Sequence, residues 1–188
     1  MSADPAQLAS PSAWVQRFAT LIPAGGRVLD VACGAGRHAR SLAQLGFQVT
    51  AVDRDADAIA ALAVLPGIEA RVADLERGEW PYAGQTFAGV IVTNYLHRPL
   101  FPLLIDCIAD GGVLIYETFA RGNERFGRPS NPAFLLEPGE LLRVVAGRLR
   151  VLAYEDLLIE EPRPAMVQRI CAADSRIYLK IPHARVDV

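Results

Sequence analysis

Five strand-like runs in this chain each close on a polar residue, and those residues recur at nearly equal steps. Asp30 follows Val28-Leu29, Asp53 follows Val49 to Val52, Asp74 follows Ala70 to Ala73, Asn94 follows Val90 to Thr93, and Glu117 follows Val113 to Tyr116. The steps are 23, 21, 20 and 23 residues, each the length of one strand, one helix and two short loops. A βα unit repeated at that size dictates a parallel sheet with helices on both faces. Ligands of such sheets bind in the crevice outside the carboxyl ends of the strands. The five polar residues therefore belong on one edge of one sheet.

The first of these runs breaks at Asp30 into Val31-Ala32-Cys33-Gly34-Ala35-Gly36, which opens a helix at Arg37. Glycine lets a backbone turn through positive φ and lie against a ligand, and a helix start offers unpaired N–H groups to a carboxylate or phosphate. The loop reads as a cradle for a nucleotide-like cofactor.

Around this nucleus the remaining elements follow in order. Ser12 is placed to cap a helix carrying Trp14, Val15, Phe18, Leu21 and Ile22 on one face, ended by Pro23 and Gly25-Gly26. Helices are expected over Arg37 to Leu45 and over Ala56 to Leu65, the latter capped by Asp55. Ile68 to Ala73 alternates polar and small residues and suits a sheet edge, whereas Phe87 to Thr93 is wholly apolar and suits the centre. Pro99 begins a helix to about Ile108, and Asp110-Gly111-Gly112 turns into the fifth strand. Residues 119–136 lack periodicity and carry two glycines and two prolines, the signature of a lid or substrate loop. A helix from Glu137 to Ala146 and an antiparallel hairpin, Arg150 to Ile159 with Met166 to Ala173 around Pro162-Arg163-Pro164, complete the chain. Residues 1–188 form a single domain on this reading, with 1–10 a loose tail.

Composition narrows the function. With 52% hydrophobic and 21% charged residues the chain builds a core, and a net charge of −2 gives no general pull toward nucleic acid. Residues 121–150 do hold six arginines against three acids, which reads first as a solvated face or an anion pocket. Cys33, Cys107 and Cys171 are in no metal-ligand spacing, so neither zinc nor disulfides are expected. Without a leader-like segment or an apolar run of membrane-spanning length, a cytoplasmic protein, monomer or homodimer, is expected.

Two cofactors compete for the cradle. Gly34-x-Gly36-x-x-Ala39 followed by Asp53 satisfies the dinucleotide pattern, which would make the chain an NAD-binding oxidoreductase. In that pattern, however, the first glycine follows the strand closely, and here Asp30 stands four residues before Gly34. An acid in that place followed by Ala-Cys-Gly-Ala-Gly resembles the first motif of class I S-adenosylmethionine-dependent methyltransferases, and the spacing of the later elements agrees over roughly residues 12–175. The stretches Phe134 to Leu141, Tyr154-Glu155-Asp156 and Val167 to Ile170 look like the small bacterial branch that includes tellurite-resistance methyltransferases.

That resemblance implies a Rossmann-like three-layer αβα sandwich with a seven-stranded, mostly parallel sheet in the order 3-2-1-4-5-7-6. It implies S-adenosyl-L-methionine as cofactor. Asp30 with Cys33, Gly34 and Gly36 would hold the methionine part, and Asp53, beside Arg54, the ribose. Asp74 and the Leu75 backbone would take the adenine edge, and Asn94 would lie beside the sulfonium. Methyl transfer is an in-line displacement that needs chiefly positioning. Where the acceptor starts protonated, His97 is the candidate base, because imidazole titrates near neutrality. Arg98 is a candidate oxyanion holder, Tyr95 a candidate wall near the methyl group, and Glu117 a candidate to orient substrate or accept a proton. Asn123, Arg125, Arg128 and Asn131 are secondary candidates in the lid. The acceptor expected is small and anionic or thiol/chalcogen-like. An RNA or protein methyltransferase, and a silent cofactor-binding module, stand as alternatives.

Overall fold

The computed structural model describes residues 10–161 and 163–176. All but Ser10 of the expected N-terminal tail, and Pro162 of the hairpin turn, lie outside them. Seven strands form one sheet in the order β3-β2-β1-β4-β5-β7-β6. β1 (Arg27–Val31), β2 (Gln48–Asp53), β3 (Ile68–Val72), β4 (Phe87–Thr93) and β5 (Ile108–Phe119) run parallel. β7 (Ala165–Ala173) is antiparallel to both β5 and β6 (Arg150–Ile159). This is the expected Rossmann-like αβα architecture with its closing hairpin.

Side chains alternate across a strand, and the two faces of the sheet carry separate cores. Leu29, Val31, Val90, Val92, Leu114 and Tyr116 point to one face, covered by α4 (Phe101–Asp106) and α5 (Glu140–Val145). Val28, Val49, Ala51, Ile91, Val113 and Ile115 point to the other, covered by α1 (Ala13–Ala19), α2 (Arg37–Gln44) and α3 (Ala56–Ala63). Ser12 and Asp55 cap α1 and α3 through their side chains, as the sequence pattern required. β3 is the exposed edge strand.

Boundaries shift where tertiary pairing wins over local signals. Leu21 and Ile22 fall beyond α1, yet Ile22 stays buried, resting on Gly89, where an added Cβ would come within 2.7 Å of it. The helix after His97 opens as a 3-10 turn over Arg98–Leu100 and ends at Asp106, because Ile108 already pairs with Phe87. At the other end β5 runs past Glu117 to Phe119, since β7 offers partners as far as Val167. The last helix starts at Glu140, three residues later than expected.

Candidate active site

β2 and β3 lie on one side of β1, and β4 and β5 on the other. The strand order therefore reverses between β1 and β4, the place where an open α/β sheet forms its crevice. Both strands end in an unusual residue. Ala32 (φ 52°) after β1 and Asn94 (φ 54°) after β4 are the non-glycine residues with left-handed backbone among those described. Such conformations cost about 1–3 kcal/mol and concentrate at functional sites. Each turns its chain sharply away from the sheet and opens the crevice.

A cavity of about 280 Å³ fills one half of this crevice, lined by Ala32, Asp53, Arg54, Asp74, Leu75 and Tyr95 among others. Asp53 is held by backbone. The Gly34 N–H donates to its Oδ2 at 2.8 Å and the Asp55 N–H to its Oδ1 at 2.9 Å. Asp74 accepts from the Glu76 N–H at 2.9 Å. A carboxylate has about four lone-pair positions, so both acids keep acceptor capacity toward the cavity. Burial pushes the Tyr95 phenol up to about 12, so it stays a neutral donor.

Asp30 lies beneath the loop and is 1% exposed, with its Oδ2 unpartnered among the described residues. Burial raises its carboxyl to about 7; the Ala39 N–H and Arg37 pull the other way and do not compensate. An orphaned, buried carboxylate oxygen is suited to an ammonium donor. Above it, Gly34 (φ 54°) faces open space, while a Cβ at Gly36 would come within 2.4 Å of Leu62. The first glycine leaves room for a ligand and the second lets α3 pack. The Cys33 thiol is pushed up by burial and donates to the Gly34 carbonyl at 3.6 Å, a structural role.

The other half of the crevice is a larger cavity of about 1140 Å³, which Asn94 shares with the first. At its inner end the Ser12 hydroxyl donates to Glu117 Oε1 at 2.8 Å, and Arg169 reaches Glu117 Oε2 at 3.2 Å. Arg169 also donates to Glu155 at 2.7 Å and stacks over Trp14 at 4.8 Å. Behind Ser12, the buried His38 accepts the Ser12 N–H on Nε2 at 3.1 Å and meets the Thr93 hydroxyl through Nδ1 at 3.3 Å. The first bond requires an unprotonated Nε2. Burial, aided by Arg37, lowers the imidazole to about 4. Ser12 and Arg169 thus line the larger cavity, with His38 bonded behind Ser12, although sequence spacing did not mark them; Ser12 announced itself only as a helix cap.

Two candidates for chemistry lie apart from both cavities in this structure. Arg98 lines neither cavity. Its guanidinium donates to Glu140 Oε1 and Oε2 at 2.7 and 3.0 Å, and to the Ala133 and Leu135 carbonyls at 2.8 and 2.9 Å, so it clamps the 119–136 loop instead of an oxyanion. His97, expected to face the crevice, also lines neither cavity; it precedes the 3-10 turn with no side-chain cap bond. In the loop, Asn131 caps a turn at Ala133 and Arg125 lines neither crevice cavity, whereas Asn123 and Arg128 line the larger one. Much of the basic stretch is internal: Arg121 pairs with Glu137, Arg148 with Asp106, and Arg143 with the Pro138 carbonyl.

The profile of the methyltransferase-domain family matches residues 6–146. The chain belongs to that family. The fold of this domain is similar to that of solved structures: TehB of Haemophilus influenzae (TM-score 0.70, 19% identity, 86% of this chain and 61% of that one) and an S-adenosylmethionine-dependent methyltransferase of Mesorhizobium loti (TM-score 0.66, 18%, 86% and 98%). It also resembles the glycopeptide N-methyltransferase MtfA, solved with S-adenosyl-L-homocysteine (TM-score 0.62, 17%, 89% and 91%). A 35-residue segment is 63% identical to the ubiquinone biosynthesis O-methyltransferase of Xanthomonas axonopodis, covering 19% of this chain and 15% of that protein. The family match makes this a methyltransferase-domain protein, and the fold is the one that the Asp30 to Gly36 resemblance implied. No described helix is long and apolar enough to cross a membrane.

Proposed function

We propose that residues 1–188 act as one domain that transfers a methyl group from S-adenosylmethionine to an acceptor in the larger cavity. The observation that carries this reading is the meeting of the two cavities at Asn94, on the left-handed residue that ends β4. A cofactor in the smaller cavity would present its reactive end there. Asp53 then takes the ribose hydroxyls with Arg54 at the rim, Asp74 and the Leu75 backbone take the adenine edge, and Asp30 with the Cys33 to Gly36 loop takes the methionine part. The fit is supported by the orphaned Asp30 Oδ2, which suits an ammonium, and by the open side of Gly34.

A bound S-adenosylmethionine, held by Asp30, Asp53 and Asp74, would supply an electrophilic methyl carbon for an acceptor lone pair. The chain's own task is alignment and exclusion of water, which can account for most of the acceleration. Asn94 and Tyr95 border the meeting point and Glu117 faces it from β5. Glu117 replaces His97 as the proton acceptor for a protonated acceptor; an anionic acceptor needs none. An anionic acceptor is favoured by Arg37, Arg128 and Arg163 along the larger cavity.

The test is a calorimetric titration with S-adenosylmethionine, S-adenosylhomocysteine and NAD, repeated on Asp53→Ala. Micromolar binding of the first two, weakened at least about 10-fold by loss of the charge-assisted ribose bonds, is expected. Binding of NAD alone overturns the reading.

A further inference from the structure

The floor of the larger cavity is graded along its length. Register across β5, β7 and β6 aligns Glu117 with Arg169 and Glu155, and two residues outward Phe119 with Val167 and Leu157. A further step pairs Ala165 with Ile159. Alternate residues of a strand share a face, so these rows succeed one another on one surface: ionic, then apolar, then apolar. From Arg169 to Ala165 is four residues, about 14 Å at about 3.4 Å per residue. Beyond the strands, Arg163 stands at the hairpin turn and Arg128 on the loop opposite, neither in an ion pair among the described residues; Glu161 is the one acid with them along that rim. Phe126, 44% exposed, lines the same cavity from the loop. The volume of about 1140 Å³ exceeds the range of about 300–1,000 Å³ usual for small-molecule pockets. A compact oxyanion or thiol would leave most of it, and its apolar walls, in contact with water.

We infer that this groove binds an elongated acceptor. A hydroxyl or amine donor sits at Glu117, an apolar body of ring width lies over Phe119, Val167 and Ala165, and an anionic group ends at Arg128 and Arg163. This rests on the methyl-transfer reading, because that reading makes the Glu117 end the place of reaction. It goes further in assigning size, polarity and direction. The ionic row serves the inner end. Glu117 is already oriented by Ser12 and Arg169 and has lone-pair capacity left for one donor. The rim arginines set the direction of entry, because an anion drawn to them leaves the neutral end to travel inward.

The experiment is calorimetry on the full chain saturated with S-adenosylhomocysteine, using three probes: 4′-hydroxybiphenyl-4-carboxylate, 4-phenylphenol and inorganic selenite. The biphenyl acid is expected to bind in the micromolar range, 4-phenylphenol at least about 10-fold more weakly for want of the charged contact, and selenite not measurably. In the Arg128→Gln/Arg163→Gln double variant the preference for the acid over 4-phenylphenol is expected to fall below about twofold. Ala165→Trp, which plugs the groove midway, is expected to abolish binding of both aromatic probes; retained S-adenosylhomocysteine binding certifies its fold. Equal affinity for the acid and the phenol in the unmodified protein, tight selenite binding, or acid binding that survives Ala165→Trp would each overturn the inference. If S-adenosylhomocysteine binds but neither aromatic probe does, the groove assignment alone fails. If S-adenosylhomocysteine itself does not bind, the methyl-transfer reading fails and takes this assignment with it.

Discussion

Replacing Asp30 with asparagine is expected to stabilise the ligand-free protein at alkaline pH while weakening its hold on the cofactor. The carboxyl titrates at about 7 in the folded chain against 3.8 ordinarily. Between those values the folded state binds a proton that the unfolded state has released, so stability falls as pH rises and levels off above about 7. At about 1.4 kcal/mol for each pH unit, ionising Asp30 in its buried place costs the wild-type protein about 4 kcal/mol by pH 8. About 3 kcal/mol of that accrues between pH 5 and pH 8. Asparagine has nearly the same shape and no charge to bury. Urea unfolding of both proteins at pH 5 and pH 8 should therefore show a gap in favour of Asp30→Asn that widens with pH. The widening should be on the order of 1 M in midpoint for a slope of about 2–3 kcal/mol/M. Calorimetry with S-adenosylhomocysteine should show the variant binding at least about 10-fold more weakly, because the partner offered to an ammonium has lost its charge. A gap that is the same at both pH values would refute the argument, since it would mean that Asp30 ionises as it does in water.

His38 works in the opposite direction. Its folded value of about 4 lies below the ordinary 6.5, so acidification from pH 6.5 to 4 protonates the unfolded chain first and removes about 3 kcal/mol of stability. His38→Gln, whose carbonyl can accept the Ser12 N–H, should abolish that loss, and urea midpoints that still fall with the wild-type slope would count against it. Arg98→Ala should lower stability by about 2–3 kcal/mol, less than the 3–5 of a fully buried broken pair because its side chain is 38% exposed. It should also open residues 121–136 to limited proteolysis; an unchanged thermal midpoint and cleavage pattern would show that the guanidinium does not anchor the loop.

What the sequence made legible is what local chemistry encodes. The five strand-end residues were visible because each strand-like run is short and closed by one polar group, and the parallel sheet follows from the spacing alone. Asp55 and Ser12 were visible as caps because a cap is read from its immediate neighbours. The surroundings of Arg98 and His97 were not legible for the complementary reason. Nothing near Asn94 in the sequence says that a carboxylate 42 residues away will take Arg98, or that His97 will stand outside both cavities. The same holds for Arg169, 52 residues from the glutamate it pairs with. The burial of His38 was not legible because it depends on the Ser12 end of α1 lying against it. The irregularity of residues 119–136 showed that a loop was there, while its inward and outward side chains were decided by contacts with β7 and α5.

The tie between Ser12 and Glu117 also orders the assembly of the molecule in time. It joins residues 105 positions apart, and Trp14 reaches farther still, donating its indole N–H to the Ile170 carbonyl across 156 positions. Closing so long a loop is unfavourable until the strands at its far end are in place. α1 therefore finds its full seat late, and until β7 has slotted between β5 and β6 the floor under Trp14 is incomplete. The inner wall of the acceptor groove is thus completed by the far end of the chain returning to its beginning, and any lesion that delays the C-terminal hairpin leaves the site open.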